Sequence, residues 1–186
     1  MTPNAWAGLG TRRRWTEAAM LLAAVEAVVV WRTGPTPALA AYAYLGAAGT
    51  VASLVDLRTR RLPDSVVLSS YPITLALLVA ASGVQGRWWQ LARAPIAMAL
   101  VAGFYLALAL WFPHGLGLGD AKLGGLLALA LGWLGWSELT TGVLAGWCLA
   151  ALALLARHAI RRGGWDRTIA LGPWLCLGAL IAVAVR

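Results

Sequence analysis

The sequence predicts an all-α bundle of about six to seven transmembrane helices, and three observations predict it. Hydrophobic residues make up 61% of the 186 positions and charged residues only 12%, and the mean hydropathy of +0.75 lies well above that of a soluble domain. The apolar residues gather into segments at approximately 17–31, 38–57, 65–82, 93–112, 121–136, 139–156 and 169–185, divided by short polar stretches. None of these segments carries the alternating ten-residue pattern of a barrel strand. Backbone groups in hydrocarbon must be satisfied inside their own segment, so the segments are helices.

Taken in order, the first segment follows Arg12, Arg13 and Arg14 and is edged by Trp15 and Trp31, the pattern of a span with an aromatic belt. The small-residue run Ala38-Leu39-Ala40 resembles a signal cleavage site, but Glu17 and Glu26 are poor company for the apolar core of a signal peptide, so the span is read as retained. RTGPTP (32–37) stops it, and RTRRLPD (58–64) separates the second segment from the third. SGVQGRWWQ (82–90) and FPHGLGLGD (112–120) bracket the fourth. A tight turn at Ser137-Glu138 divides the fifth from the sixth, where Gly142 and Gly146 have the GxxxG spacing that lets helices approach closely. RHAIRRGGWDR (157–167) precedes the last. No stretch between segments has room for a second unit, so residues 1–186 read as a single integral-membrane domain.

The basic residues set the orientation. Arginine supplies all of the 15 basic residues except Lys122, and the net charge is +8. These residues cluster at segment ends, where they anchor helices and meet anionic headgroups, which sets nucleic-acid binding aside. With a cytoplasmic N-terminus, Arg12, Arg13, Arg14, Arg58, Arg60, Arg61, Lys122, Arg157, Arg161, Arg162 and Arg167 lie inside, while Arg32, Arg87, Arg93 and Arg186 lie outside. The positive-inside rule favours that arrangement. It brings the loop after Asp56 and the loop before Asp120 to the cytoplasmic face of the cell membrane. Cys148 and Cys176 lie in apolar runs without CxxC spacing or a nearby histidine, so neither a disulfide framework nor a metal site is indicated.

The acidic residues carry the chemistry. Glu17, Glu138 and Asp166 lie at segment ends, where solvation is easy. Asp64 follows Pro63 and precedes the third segment, a good N-cap position. Glu26 sits mid-span, and an intramembrane ionisable group is a functional candidate by default. Asp56 and Asp120 differ, because each lies where an apolar helix meets a cytoplasmic loop. VDLRTRRLPD (55–64) and GLGLGDAKL (115–123) together resemble the signature of the type IV prepilin peptidases, a family of GxGD membrane aspartyl proteases. Their aspartates stand 64 residues apart, similar to the family's separation. ALGPWLCLGAL (170–180) resembles the Phe-Gly-Pro stretch opening the family's last helix, with Leu171 in place of phenylalanine. The resemblance covers residues from about 45 to the C-terminus. It implies Asp56 and Asp120 as the catalytic pair and a prepilin-like or pseudopilin substrate, serving a type IV pilus or protein secretion. It also implies that the cysteine-bearing methyltransferase insert of long members is missing, since only Arg32 to Pro37 joins the first two segments.

Physical chemistry gives the pair a use of its own. Two carboxylates sharing one proton can hydrolyse an amide without a covalent intermediate, and like charges held close do not both ionise. No cofactor or metal is needed. The glycines Gly115, Gly117 and Gly119 are expected to let the backbone approach a substrate chain and adopt conformations closed to other residues. Lys122 snorkels to the headgroups and biases Asp120 toward its ionised form, while His114 reads as a loop residue. Asp56 ends a helix and Asp120 begins one, which favours Asp56 as the neutral partner. Three rival readings are a GxGD protease of the presenilin or signal-peptide-peptidase kind, a small transporter or proton pathway, and a catalytically dead assembly factor, the last disfavoured because both aspartates are intact. The first requires a tyrosine before the first aspartate, where Val55 stands, and a Pro-Ala-Leu where Leu171-Gly172-Pro173 stands. The second requires acids along mid-membrane positions, where Glu26 alone qualifies.

Overall fold

The computed structural model describes residues 12–111, 117–160 and 170–186. Within them run α1 (Arg12–Thr33), α2 (Leu39–Thr59), α3 (Asp64–Gln85), α4 (Trp88–Trp111), α5 (Leu118–Leu134), α6 (Trp136–Ile160) and α7 (Gly172–Val185), and no strand occurs among the described residues. Each overlaps one apolar segment of the sequence. By length and hydropathy α2, α3, α4 and α6 are fit to cross a membrane. The 17 residues of α5 and 14 of α7 reach only about 26 and 21 Å at 1.5 Å per residue.

The breaks between helices follow from local chemistry. Gly34 and Gly86 take left-handed φ values of 62° and 66°, which a glycine adopts at no steric cost, and they end α1 and α3. Pro72 and Pro95 stand inside α3 and α4, where packed neighbours in a membrane bundle make proline tolerable. The division between α5 and α6 falls at Gly135 rather than at Ser137-Glu138. Gly135 is extended, with φ 177°, while Ser137 and Glu138 fill the first turn of α6, where free N–H groups favour an acid.

The bundle is built around α5. From Leu123 to Leu134 nearly every residue is buried, so the short helix is the core and the longer ones form its jacket. Buried helix ends need partners for their last carbonyls. Arg93 of α4 donates from Nε to Gly132 O at 2.6 Å and from Nη2 to Trp133 O at 2.9 Å, and the Tyr42 hydroxyl of α2 donates to Ala130 O at 2.9 Å. Arg93, expected from sequence to be a simple surface anchor, thus caps the central helix. Trp133 donates to Ser82 Oγ of α3 at 2.9 Å and lies under the Arg87 guanidinium, 5.6 Å from the ring centroid.

Small residues set how closely the jacket packs. A Cβ on Gly178 of α7 would run into the backbone of Gly142 and Gly146 on α6, which realises the close approach that the GxxxG spacing implies. A Cβ on Gly83, by contrast, meets nothing within 4 Å. Gly178→Val is therefore expected to force the α6–α7 backbones apart and destabilise the protein by about 1–3 kcal/mol or more. Gly83→Ala should be neutral or stabilising by up to about 1 kcal/mol. Thermal unfolding of the two variants in detergent checks the contrast, and equal melting temperatures would contradict it.

Candidate active site

The site forms where the ends of α2 and the beginnings of α5 and α7 converge. Asp56 lies on the last turn of α2 and is only 4% exposed. The helix stops because Arg60 turns left-handed, at φ 50°, and donates its N–H to the Asp56 carbonyl at 2.8 Å. Pro63, which is extended and cannot donate a backbone hydrogen bond, opens α3. The short link between them turns Leu62 into the bundle.

Leu62 is the wedge between the other two parts. A Cβ on Gly119 would lie 3.2 Å from Leu62 Cβ, and one on Gly172 would lie 3.4 Å from Leu62 Cδ2. The same hypothetical atom on Gly172 would stand 2.8 Å from Asp56 Oδ2. The Gly172 N–H donates to Asp56 Oδ2 at 3.1 Å, so a side chain at 172 would press on the carboxylate and displace it. Asp120, in the first turn of α5, accepts from Gly117 N–H at 3.2 Å. The Asp56 carboxylate is near enough to act electrostatically on Asp120. The two aspartates singled out by the sequence are thus brought into one electrostatic neighbourhood.

Several expectations change in detail. Gly117 has φ −81°, and the positive-φ glycines among the described residues are Gly34 and Gly86. Gly117 and Gly119 therefore do not adopt conformations closed to other residues; Gly119 makes space for Leu62 instead. Asp64 is the first residue of α3 rather than its N-cap, a place taken by Pro63. Its carboxylate pairs with Lys122 Nζ at 2.8 Å, so Lys122, expected to snorkel to headgroups, has a partner in the protein. His114 and Gly115 lie outside the described residues. The helix ends also cease to distinguish the aspartates. Asp56 closes α2 but faces the N-terminus of α7, so each carboxylate sits at a helix N-terminus.

Sequence reasoning passed over Leu62, Tyr71 and Tyr105. Tyr71 donates to Lys122 O at 2.5 Å, fixing the segment after Asp120 to α3. Tyr105 is buried, accepts from Trp147 Nε1 at 2.8 Å and feels the charge of Asp120. Both lie inside apolar runs, where the sequence offers no sign of their contacts. Among the described residues, no group of three or more His, Cys, Asp or Glu side chains is placed to hold a metal ion.

A family model of the type IV leader peptidase family matches residues 43–156, a stretch that includes both aspartates. The chain belongs to the type IV leader peptidase family. It is 30% identical over 167 residues to the prepilin leader peptidase/N-methyltransferase of Pseudomonas putida, covering 87% of this chain and 55% of that protein. It is also 30% identical over 183 residues to the protein of that name from Escherichia coli K12, covering 90% of this chain and 73% of that one. The chain thus spans about half the length of the first of these relatives. No solved structure matches it.

The Asp64–Lys122 pair tests how much this family member depends on charge at the rim. The two side chains are 61% and 36% exposed, and exposed ion pairs contribute at most about 1 kcal/mol. A double-mutant cycle on Asp64→Asn and Lys122→Met, read by unfolding in mixed micelles, is expected to give a coupling below about 1 kcal/mol. A coupling above about 2 kcal/mol would show that the pair holds the site together.

Proposed function

We propose that this chain is an aspartic-type endopeptidase that removes the basic leader of prepilin-like membrane proteins at the cytoplasmic membrane face, with Asp56 and Asp120 as its catalytic pair. The observation that carries the reading is the meeting of two carboxylates from distant sequence at one junction of three helices, with Asp56 buried and acting on Asp120. The family and the names of the two relatives support a leader-cleaving protease. The aspartic mechanism rests on the site.

The chemistry balances with the chain's own groups. One carboxylate, ionised, takes a proton from a water molecule as the water oxygen bonds to the scissile carbonyl carbon. The other, protonated, gives its proton to the carbonyl oxygen, leaving a neutral tetrahedral diol. Collapse of the diol breaks the C–N bond, with the first carboxyl's proton passing to the leaving amine and a hydroxyl proton returning to the second. The pair ends in its starting state. Burial among Leu62, Gly172 and the ends of α2 and α5 keeps bulk water from competing for these hydrogen bonds. Methyl transfer is not expected: α1 and α2 are separated only by residues 34–38, which leaves no space there for a cysteine-bearing insert.

Replacing either aspartate, Asp56→Asn or Asp120→Asn, is expected to lower turnover of a prepilin-like substrate by at least about a hundredfold while the protein still inserts. Asp64→Asn should retain most activity. Gly172→Ala, which pushes a methyl against Asp56 Oδ2, should cost about tenfold or more in kcat through misplacement of that carboxylate. Leader loss is read by gel shift or mass spectrometry on co-expressed substrate. Near-normal turnover by Asp56→Asn would mean that the wrong carboxylate has been chosen. Chelators should have no effect, and methylation of the processed N-terminus by the purified chain would contradict a peptidase without transferase activity.

Orientation is testable separately. Ser65 and Gly86, at opposite ends of α3, are both exposed. Cysteines placed there should label from the cytoplasmic and the opposite side respectively. Labelling of the Ser65 position from outside intact cells would reverse the topology.

A further inference from the structure

One side chain touches both halves of the aspartate site. Leu62, on the link between α2 and α3, places its Cβ and Cδ1 3.2 and 3.3 Å from where a Cβ on Gly119 would stand, next to Asp120. Its other branch, Cδ2, lies 3.4 Å from where a Cβ on Gly172 would stand, and Asp56 Oδ2 lies 2.8 Å from that same point. Glycine thus stands on both walls against which Leu62 packs, and at Gly119 even a methyl group would be closer to it than ordinary van der Waals contact.

The backbone on either side holds Leu62 in place. Before it, Thr59 Oγ1 donates to the Val55 carbonyl at 2.9 Å and accepts from the Arg61 N–H at 3.3 Å, while the Arg60 N–H donates to the Asp56 carbonyl at 2.8 Å. After it, Pro63 has a ring-locked φ of −74° and confines the residue before it to extended conformations. The Pro63 carbonyl in turn accepts from the N–H groups of Val66 and Val67 at 3.0 and 3.1 Å. Leu62 itself is half-buried and packs on the main hydrophobic core. A side chain pinned in this way shapes whatever lies against it. A peptide bond cut by Asp56 and Asp120 must bring its carbonyl within hydrogen-bond reach of one carboxyl and its attacking water within reach of the other. Asp56 is buried and Asp120 half-buried, so a substrate chain approaches from the side of Gly117 and Leu118, which are exposed. The residues next to its scissile bond then lie against Leu62.

We propose that Leu62 is a specificity residue of the site: it occupies the space that a side chain on one of the two residues flanking the scissile bond would need, so that glycine is accepted there and larger residues are excluded. The proposal rests on the protease reading above and adds which residue of the enzyme selects the point of cleavage. The selection is steric. An apolar branch offers a substrate no hydrogen bond, so Leu62 discriminates by the room it leaves.

The probe is a synthetic peptide with a lysine-rich leader, glycine on both sides of the intended cut, and a leucine/alanine helix of about 20 residues, enough to span a bilayer. Two further peptides carry alanine on one side of the cut or the other. Each competes with the all-glycine peptide in vesicles containing the full chain, and mass spectrometry of the products gives the ratio of kcat/KM values. That ratio does not depend on how much of a variant enzyme is folded. The wild-type chain should disfavour alanine at one of the two positions by about thirtyfold or more, and Leu62→Ala should reduce that preference to about threefold or less, as expected when a steric wall is removed. Leu62→Val, a smaller truncation, should fall between them. An unchanged ratio in both variants, with every peptide cut more slowly to the same degree, would make Leu62 a spacer and overturn the proposal while the protease reading stands. Equal cutting of all three peptides by the wild-type chain would also overturn it. Failure of the wild-type chain to cut the all-glycine peptide would instead overturn the protease reading beneath it.

Discussion

A carboxylate buried in an apolar bundle must have a donor, and for Asp56 that donor is the Gly172 amide. Much of the site's architecture depends on this bond. It ties the end of α2 to the beginning of α7, and it disfavours a side chain at 172, where a Cβ would stand 2.8 Å from Asp56 Oδ2. It also draws the N-terminus of α7 toward the place where negative charge is needed. Leu62 then fills the angle between Gly172 and Gly119, so the link after α2 sets the distance between the two aspartate-bearing helices. The motifs around positions 56, 120 and 172 are thus three walls of one small volume.

Most of the fold was legible because membrane helices announce themselves through long apolar runs and short basic punctuation. The seven segments and the close approach at Gly142 and Gly146 were readable on that basis. The two candidate aspartates stood out for a related reason: carboxylates at the boundary of apolar helices are conspicuous. Less legible were features decided by tertiary partners. Gly135 rather than Ser137-Glu138 breaks α5 from α6, since the most polar pair in a turn region also suits a helix's first turn. Pro63 took the capping place that Asp64 was expected to fill, and Asp64 pairs instead with Lys122, a partner 58 residues away that no local pattern encodes. The assignment of the neutral aspartate from helix polarity considered only α2 and α5, and the missing piece was α7, whose first N–H points at Asp56.

The central position of α5 has a further physical consequence. A short helix buried along most of its length is held by its neighbours' side chains, with Tyr71 near its beginning and Tyr42 and Arg93 near its end. Asp120 rides on the first turn of this fixed element, while Asp56 rides on α2, which also lines a cavity of about 250 Å³ between α1, α2, α5 and α7. One carboxylate is therefore carried by the central helix, and the other, more deeply buried, lies on a helix that borders a cavity.

The account's central claim is that Asp56 and Asp120 act together on a water molecule and stabilise a tetrahedral diol. Binding of a leader peptide in which the scissile amide is replaced by a hydroxyethylene group tests it most directly, since that group imitates the diol and cannot be cut. The account predicts binding at least about a hundredfold tighter than that of the corresponding uncut peptide, as expected of a transition-state mimic, with the gain lost in both Asp56→Asn and Asp120→Asn. Binding no tighter than the substrate's, or a gain that survives removal of either aspartate, would contradict it.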